Sequence, residues 1–265
     1  MTATLYTESP TVKRHLRPYT ANGYPFQMVL VQKGSFLFQG DHKITFKSDF
    51  ELGQYPVTQG LWQAVMGEPW PHLRFQGAGR PVERVSWDDI MGTKDGKKQE
   101  EAKAGFLERL NALPEIAELN ATDGCCFGMP SEAQWEYAAR GGRYGRALGY
   151  EYAGGNYLPE VGWYDENSQG QTQPVGRKRP NALGLYDMSG NVDEWCEDVW
   201  LQNYKDAPSD GSAWIKDGAE NGRVVRGGSW LLNDYSSRVA DRYNLNADFP
   251  LNVIGFRLSR YRVTL

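Results

Sequence analysis

Thirty glycines and fourteen prolines are scattered through this chain of 265 residues, and that punctuation limits the fold more than any other feature. Glycine accepts the left-handed backbone that turns require, while proline cannot continue a helix or a central strand. The chain is thereby cut into short elements joined by many turns. Loop-rich single domains reach about 250 residues, and no internal repeat or low-complexity linker divides the sequence. One domain is therefore expected, over residues 23–265, preceded by an N-terminal extension, 1–22. Hydrophobic residues make up 40% of the chain and aromatic ones 13%, nine of them Trp, which is ample for a core.

The local patterns predict an α+β fold. Phe26 to Val31 and Ser35 to Phe38, around Lys33-Gly34, read as a hairpin. Ile44 to Phe46 and Phe50 to Tyr55 read as further short strands. Thr58 caps a helix whose apolar Leu61, Trp62, Val65 and Met66 stand at helical spacing before Gly67, and Ser86 caps another that starts at Trp87. Apolar Ala104, Phe106, Leu107, Leu110 and Leu113 predict an amphipathic helix over 97–113. Ser131 and Gln134 form a capping box for a helix that stops at Gly141-Gly142. Beyond Gly142 only short strands and turns are expected.

A net charge of −4 and a pI near 5.5 leave no basic footprint for nucleic acid. The polar start and the lack of any stretch of about 18 apolar residues lead to the expectation of a cytoplasmic protein with no membrane partner. Three cysteines, Cys125, Cys126 and Cys196, are an odd number. They read as reduced thiols and not as a disulfide framework.

Seven blocks stand in order along the chain: Met28 to Phe36, Tyr55-Pro56-Val57-Thr58-Gln59 with Trp62, Arg80 to Trp87, Met129 to Gly142, Asn181 to Val192 with Glu194-Trp195, Arg226-Gly227-Gly228-Ser229-Trp230, and Ile254 to Leu258. Together they resemble the formylglycine-generating-enzyme-like, or sulfatase-modifying-factor, family. The resemblance implies a C-type lectin-like fold with short antiparallel strands and a few helices. Fold alone does not fix function.

The family's oxidases hold Cu(I) on two cysteines that would fall at Leu232 and Ser237 here. Neither side chain supplies the soft thiolate that Cu(I) needs, so copper is not expected. Histidine-bound iron, used by another branch, would have only His15, His42 and His72 to draw on. An oxidoreductase with a different metal or none is the alternative reading. The resemblance also implies a structural Ca²⁺ site on the side chains of Asp187 and Glu194 and the carbonyls of Gly190 and Val192, as suits a hard cation. The competing reading of that loop is an Asx-turn without metal.

Between the last two blocks, residues 231–253 form a chemically mixed stretch. It resembles the variable region of proteins targeted by diversity-generating retroelements. Randomising an asparagine codon at its two adenines can never yield Trp, Met, Gln, Glu or Lys, and none of those five occurs here. A binding surface is expected from Trp230, Leu231, Leu232, Asn233, Asp234, Tyr235, Ser236, Val239, Asp241, Tyr243, Leu245, Asn246 and Phe249. Rigid aromatics beside adaptable polar groups suit recognition of a protein or a small molecule. Arg238 and Arg242 are expected to make salt bridges to the framework. The functional expectation is a non-catalytic ligand-binding protein.

Overall fold

The computed structural model describes residues 15–92, 104–145, 148–216 and 222–262. Its main sheet has five antiparallel strands in the order β1 (Leu16–Ala21), β2 (Tyr24–Val31), β5 (Phe50–Gly53), β11 (Ser259–Arg262) and β6 (Cys125–Gly128). The C-terminal strand is thus central, between elements from the first half of the chain. A second sheet runs β10 (Ile254–Phe256), β7 (Asp193–Val199), β8 (Gly222–Arg226) and β9 (Arg242–Asn246). Here β10 and β7 are parallel and the other pairs antiparallel. A third sheet is the hairpin of β3 (Ser35–Phe38) and β4 (His42–Thr45).

Two expectations are corrected. β2 and β3 do not pair with each other: β2 lies between β1 and β5, and β3 turns into β4. The turn that closes a hairpin sits at Gln39-Gly40, where φ is +50° and +90°. Residues 16–21, assigned to an extension, form an edge strand, because Asn22-Gly23 at φ +48° and +78° makes the tight two-residue turn that hairpin twist favours.

The local helix signals act as expected. In α1 (Gln59–Met66) the Thr58 hydroxyl accepts from the Leu61 N–H, and Gly67 ends the helix in the left-handed region. Ser86 and Asp89 cap α2 (Trp87–Met91) reciprocally. The apolar stretch after Ala104 gives α3 (Phe106–Ala112), while the charge run 97–103 lies outside the described residues. Leu113 then ends α3 and caps α4 (Pro114–Asp123), whose Pro is placed in its first turn. α5 (Glu132–Ala139) carries the Ser131–Gln134 capping box. Two single-turn helices, α6 (Gly142–Gly145) and α7 (Leu158–Val161), interrupt the region where only strands and turns were expected.

Alternation along β2 separates two cores. Met28 faces one with Trp62, Phe106, Trp195 and Phe256, while Val29 and Val31 face another with Phe36, Trp135, Tyr137 and Met188. α5 is buried almost all round, Glu132 and Glu136 included. Buried carboxylates need charged partners, and these come from the second sheet.

Candidate functional site

The segment expected to bind begins where β8 ends. Gly227 and Gly228 turn the chain at φ +105° and +73°, and the Gly228 N–H donates to the Asp193 carboxylate at 2.9 Å. The chain then passes through a 3-10 turn at Tyr235–Ser237, returns beside β8 as β9, and reaches β10 through residues 247–253.

Arg226, the last residue of β8, holds this segment from below. It has no solvent exposure and pairs with Glu136 at 2.6 Å. Its Nη1 donates to the carbonyls of Ala240 and Asp241 at 3.1 and 2.6 Å, and its Nη2 to that of Val239 at 2.9 Å. Burial by itself would lower the Arg226 pKa, but Glu136 and Glu132 outweigh it and raise it. Glu132 in turn receives the fork of Arg242 at 2.7 and 2.9 Å. Below it, burial and then the Glu132 charge push the Asp198 carboxyl up to about 7.

Most of the remaining ties from the framework to the segment also end on main-chain atoms. Asp165 N–H donates to the Leu232 carbonyl, Trp87 N–H to Ala247, Arg84 N–H to Leu251 and Asp193 N–H to Val253, while Val239 N–H donates to Glu151. The β8–β9 ladder is likewise backbone. Side-chain fastening falls to a few residues. Arg238 pairs with Glu151 at 2.5 Å and Arg242 with Glu132, as expected, and Ser237 is buried against Gly228.

The expected binding residues divide accordingly. Leu231, Tyr235, Tyr243 and Phe249 are 54%, 59%, 42% and 52% exposed. Asn233 and Asn246 are exposed, and Leu232, Asp234, Ser236, Asp241 and Leu245 half-buried. Tyr243 Oη donates to Ser236 Oγ at 3.0 Å, Ser236 donates to Asn233 Oδ1, and the Arg238 guanidinium lies 4.2 Å from the Tyr235 ring centre. Trp230 and Val239 are corrections, at 3% and 2% exposed. Trp230 meets Phe75 edge-on and donates to the Asn252 carbonyl, and Val239 sits in the Trp135 core. Both are floor, not surface.

Asp187 and Glu194 are both buried. One Asp187 oxygen accepts from the Gly176 N–H at 2.8 Å and the other from Asn191 Nδ2 at 3.5 Å, and burial pushes the group up to about 6 against these bonds and the Arg257 charge. A buried carboxylate whose direct partners are neutral amide donors suits a cation. Glu194 does not: its oxygens accept from Arg257 Nη2 at 2.8 Å and from Trp135 Nε1 at 2.7 Å. The Gly190 carbonyl accepts from the Val192 N–H at 3.1 Å. Of the two side chains, Glu194 is therefore committed to Arg257 and Trp135, and Asp187 is the carboxylate without a direct ion pair among the described residues.

Leu232 is half-buried and Ser237 buried. Cys196 is buried, and its thiol is pushed up by burial; Cys125 and Cys126 are part-buried free thiols. Among the described residues no group of three or more His, Cys, Asp and Glu could hold a metal ion. No helix among them is long and apolar enough to cross a membrane. The roles of Arg226 and Glu136 were not legible in the sequence. The one local signal for Arg226 was its place before the Gly227-Gly228 turn.

The model of the sulfatase-modifying factor enzyme 1-like domain matches residues 14–262. The chain belongs to that family. It is 30% identical over 264 residues to the chaperone protein LppX of Paenibacillus barcinonensis, covering 86% of this chain and 88% of that one. It is 39% identical over 224 residues to the formylglycine-generating enzyme of Streptomyces coelicolor, covering 76% and 67%. Among solved structures it is similar to Treponema denticola variable protein 1, with a TM-score of 0.68 and 28% identity over 92% of this chain and 98% of that one. This sulfatase-modifying-factor domain therefore has the α+β architecture that its sequence blocks implied, and it resembles a variable protein in structure.

Proposed function

We propose that this domain is a non-catalytic ligand-binding protein that displays diversified side chains from residues 231–253. The observation that carries the reading is the way the segment is fastened. Arg226 takes three consecutive carbonyls, of Val239, Ala240 and Asp241, so those bonds survive a change of side chain. Leu231, Tyr235, Tyr243 and Phe249 stand outward on that fixed backbone. Rigid aromatic anchors on a preorganised backbone lose little entropy on binding. The residues at the two oxidase ligand positions, Leu232 and Ser237, cannot ligate Cu(I), which supports binding over oxidation. The partner is a protein or small molecule at this surface; with a net charge of −4, nucleic acid is a poor electrostatic match.

The similarity to a variable protein supports the retroelement origin of the diversity. Sequencing the locus tests this. A neighbouring reverse transcriptase is expected, with a near-identical template copy of codons 231–253 that differs only where the template has adenine. A locus with neither would remove the retroelement from the reading. We place any calcium ion at Asp187, with the Gly190 and Val192 carbonyls, and leave Glu194 as the partner of Arg257.

A further inference from the structure

A cleft of about 510 Å³ opens near this surface, within the range of roughly 300–1,000 Å³ typical of small-molecule sites. Tyr152, in its wall, follows Glu151, which pairs with Arg238 at 2.5 Å and accepts from the Val239 N–H at 2.9 Å. That places the cleft beside the end of the 3-10 turn. It shares no residue with 231–253.

Its walls are apolar. Phe36 and Tyr152 are buried, and Leu37, Leu148 and Tyr150 face it as exposed large side chains. Exposed apolar groups gathered around one concavity mark binding sites more often than scattered ones do. The charged side chains of the described lining are Arg140 and Arg179, with no carboxylate among the lining residues.

Neither arginine is used up by the fold. Arg140 turns Nε and Nη2 to Glu136, an acid it shares with Arg226. Arg179 Nη2 donates to the Gly154 carbonyl at 3.1 Å and meets Glu160 at 3.2 Å in an exposed pair, the kind that contributes little. Its Nε is buried with no acceptor, and a buried donor without a partner favours a ligand that supplies one.

We propose that the cleft binds a medium-chain carboxylate, its head group on Arg179 with Arg140 adding positive charge, and its alkyl chain along Leu37, Leu148 and Tyr150. A planar two-oxygen head matches a guanidinium fork, and an alkyl chain matches walls that offer no further charge. This site is independent of the display surface, so either reading can fail without the other.

Titration calorimetry of the full chain with decanoate tests it, with decanamide as the neutral isostere. Saturable one-to-one binding of decanoate is expected, with decanamide weaker by about tenfold or more. Arg179→Gln and Leu37→Glu should each weaken decanoate by about tenfold or more, and Leu231→Ala should leave it unchanged. Leu37 is exposed on the β3–β4 hairpin, so its variant keeps the fold, which a thermal melt checks. Absence of saturable decanoate binding, equal binding of decanamide, or parental affinity in either cleft variant would overturn the proposal.

Discussion

Arg226 and Glu136 meet at 2.6 Å with neither side chain reaching solvent, and this pair joins α5 to the backbone of the displayed segment. Removing one partner of a buried pair strands the other charge, at a cost of about 3–5 kcal/mol. Arg226→Met should lose that much stability in urea, since three carbonyls also lose their donor. Arg226→Lys should fall between, as an ammonium lacks the planar fork. A loss below about 1 kcal/mol for Arg226→Met, the size of a typical single hydrogen bond, would mean that the pair does not organise this region.

Gly228 is the second fixed point. Its φ is +73°, and a Cβ there would stand 2.6 Å from Ser237 Oγ and 2.7 Å from the Ser236 carbonyl. Gly228→Ala should therefore destabilise by more than about 1 kcal/mol. Gly23→Ala, also at positive φ but with open space around the Cβ, should cost less. Equal melting temperatures for the two variants would contradict the packing at Ser237.

The Asp198 carboxyl, at about 7 in the fold because of burial and the Glu132 charge, titrates near 3.9 when unfolded. The folded state thus binds more protons between these values. Stability from this group is full below about pH 4 and is lost as pH rises through about 7. Asp198→Asn, which keeps the neutral form, should flatten that decline when urea midpoints are compared at several pH values. A pH dependence identical to the parent's would show that Asp198 is ionised in the fold.

Calcium at Asp187 has a simple signature. A ligand that binds only the folded state stabilises by about 2.7 kcal/mol at 100 times its Kd, so Ca²⁺ should raise the melting temperature of EDTA-treated protein. Asp187→Asn should abolish the rise. If EDTA and Ca²⁺ give the same melt, the loop holds no metal and is an Asx-type turn.

What the sequence disclosed follows the range of the forces involved. Thr58, Ser86 and Ser131 were legible as caps because a cap is settled within four residues. The pairing of β2 was not, because its partner β5 follows only after the β3–β4 hairpin has left the sheet, and nothing within a few residues of β2 records that. α4 was missed because Ile116 is the only side chain it buries fully, which leaves almost no periodicity. Trp230 and Val239 belong to a stretch of mixed composition, and only packing against Phe75 and the Trp135 core separates them from Tyr235 and Tyr243. The carboxylate cleft was invisible for the same reason, since Leu37, Arg140 and Arg179 converge only in the fold.

The central claim is that the backbone of 231–253 is held while its outward side chains are free to vary. Saturation mutagenesis across the segment, sorted by protease resistance on a cell surface, measures this directly. Leu231, Asn233, Tyr235, Tyr243 and Phe249 should accept nearly every residue type, with changes within about 0.5 kcal/mol. Ser237 and Val239, with Arg226 and Gly228 beside them, should reject most. If Tyr235, Tyr243 and Phe249 prove as intolerant as Val239, the surface is part of the core and the display account is wrong.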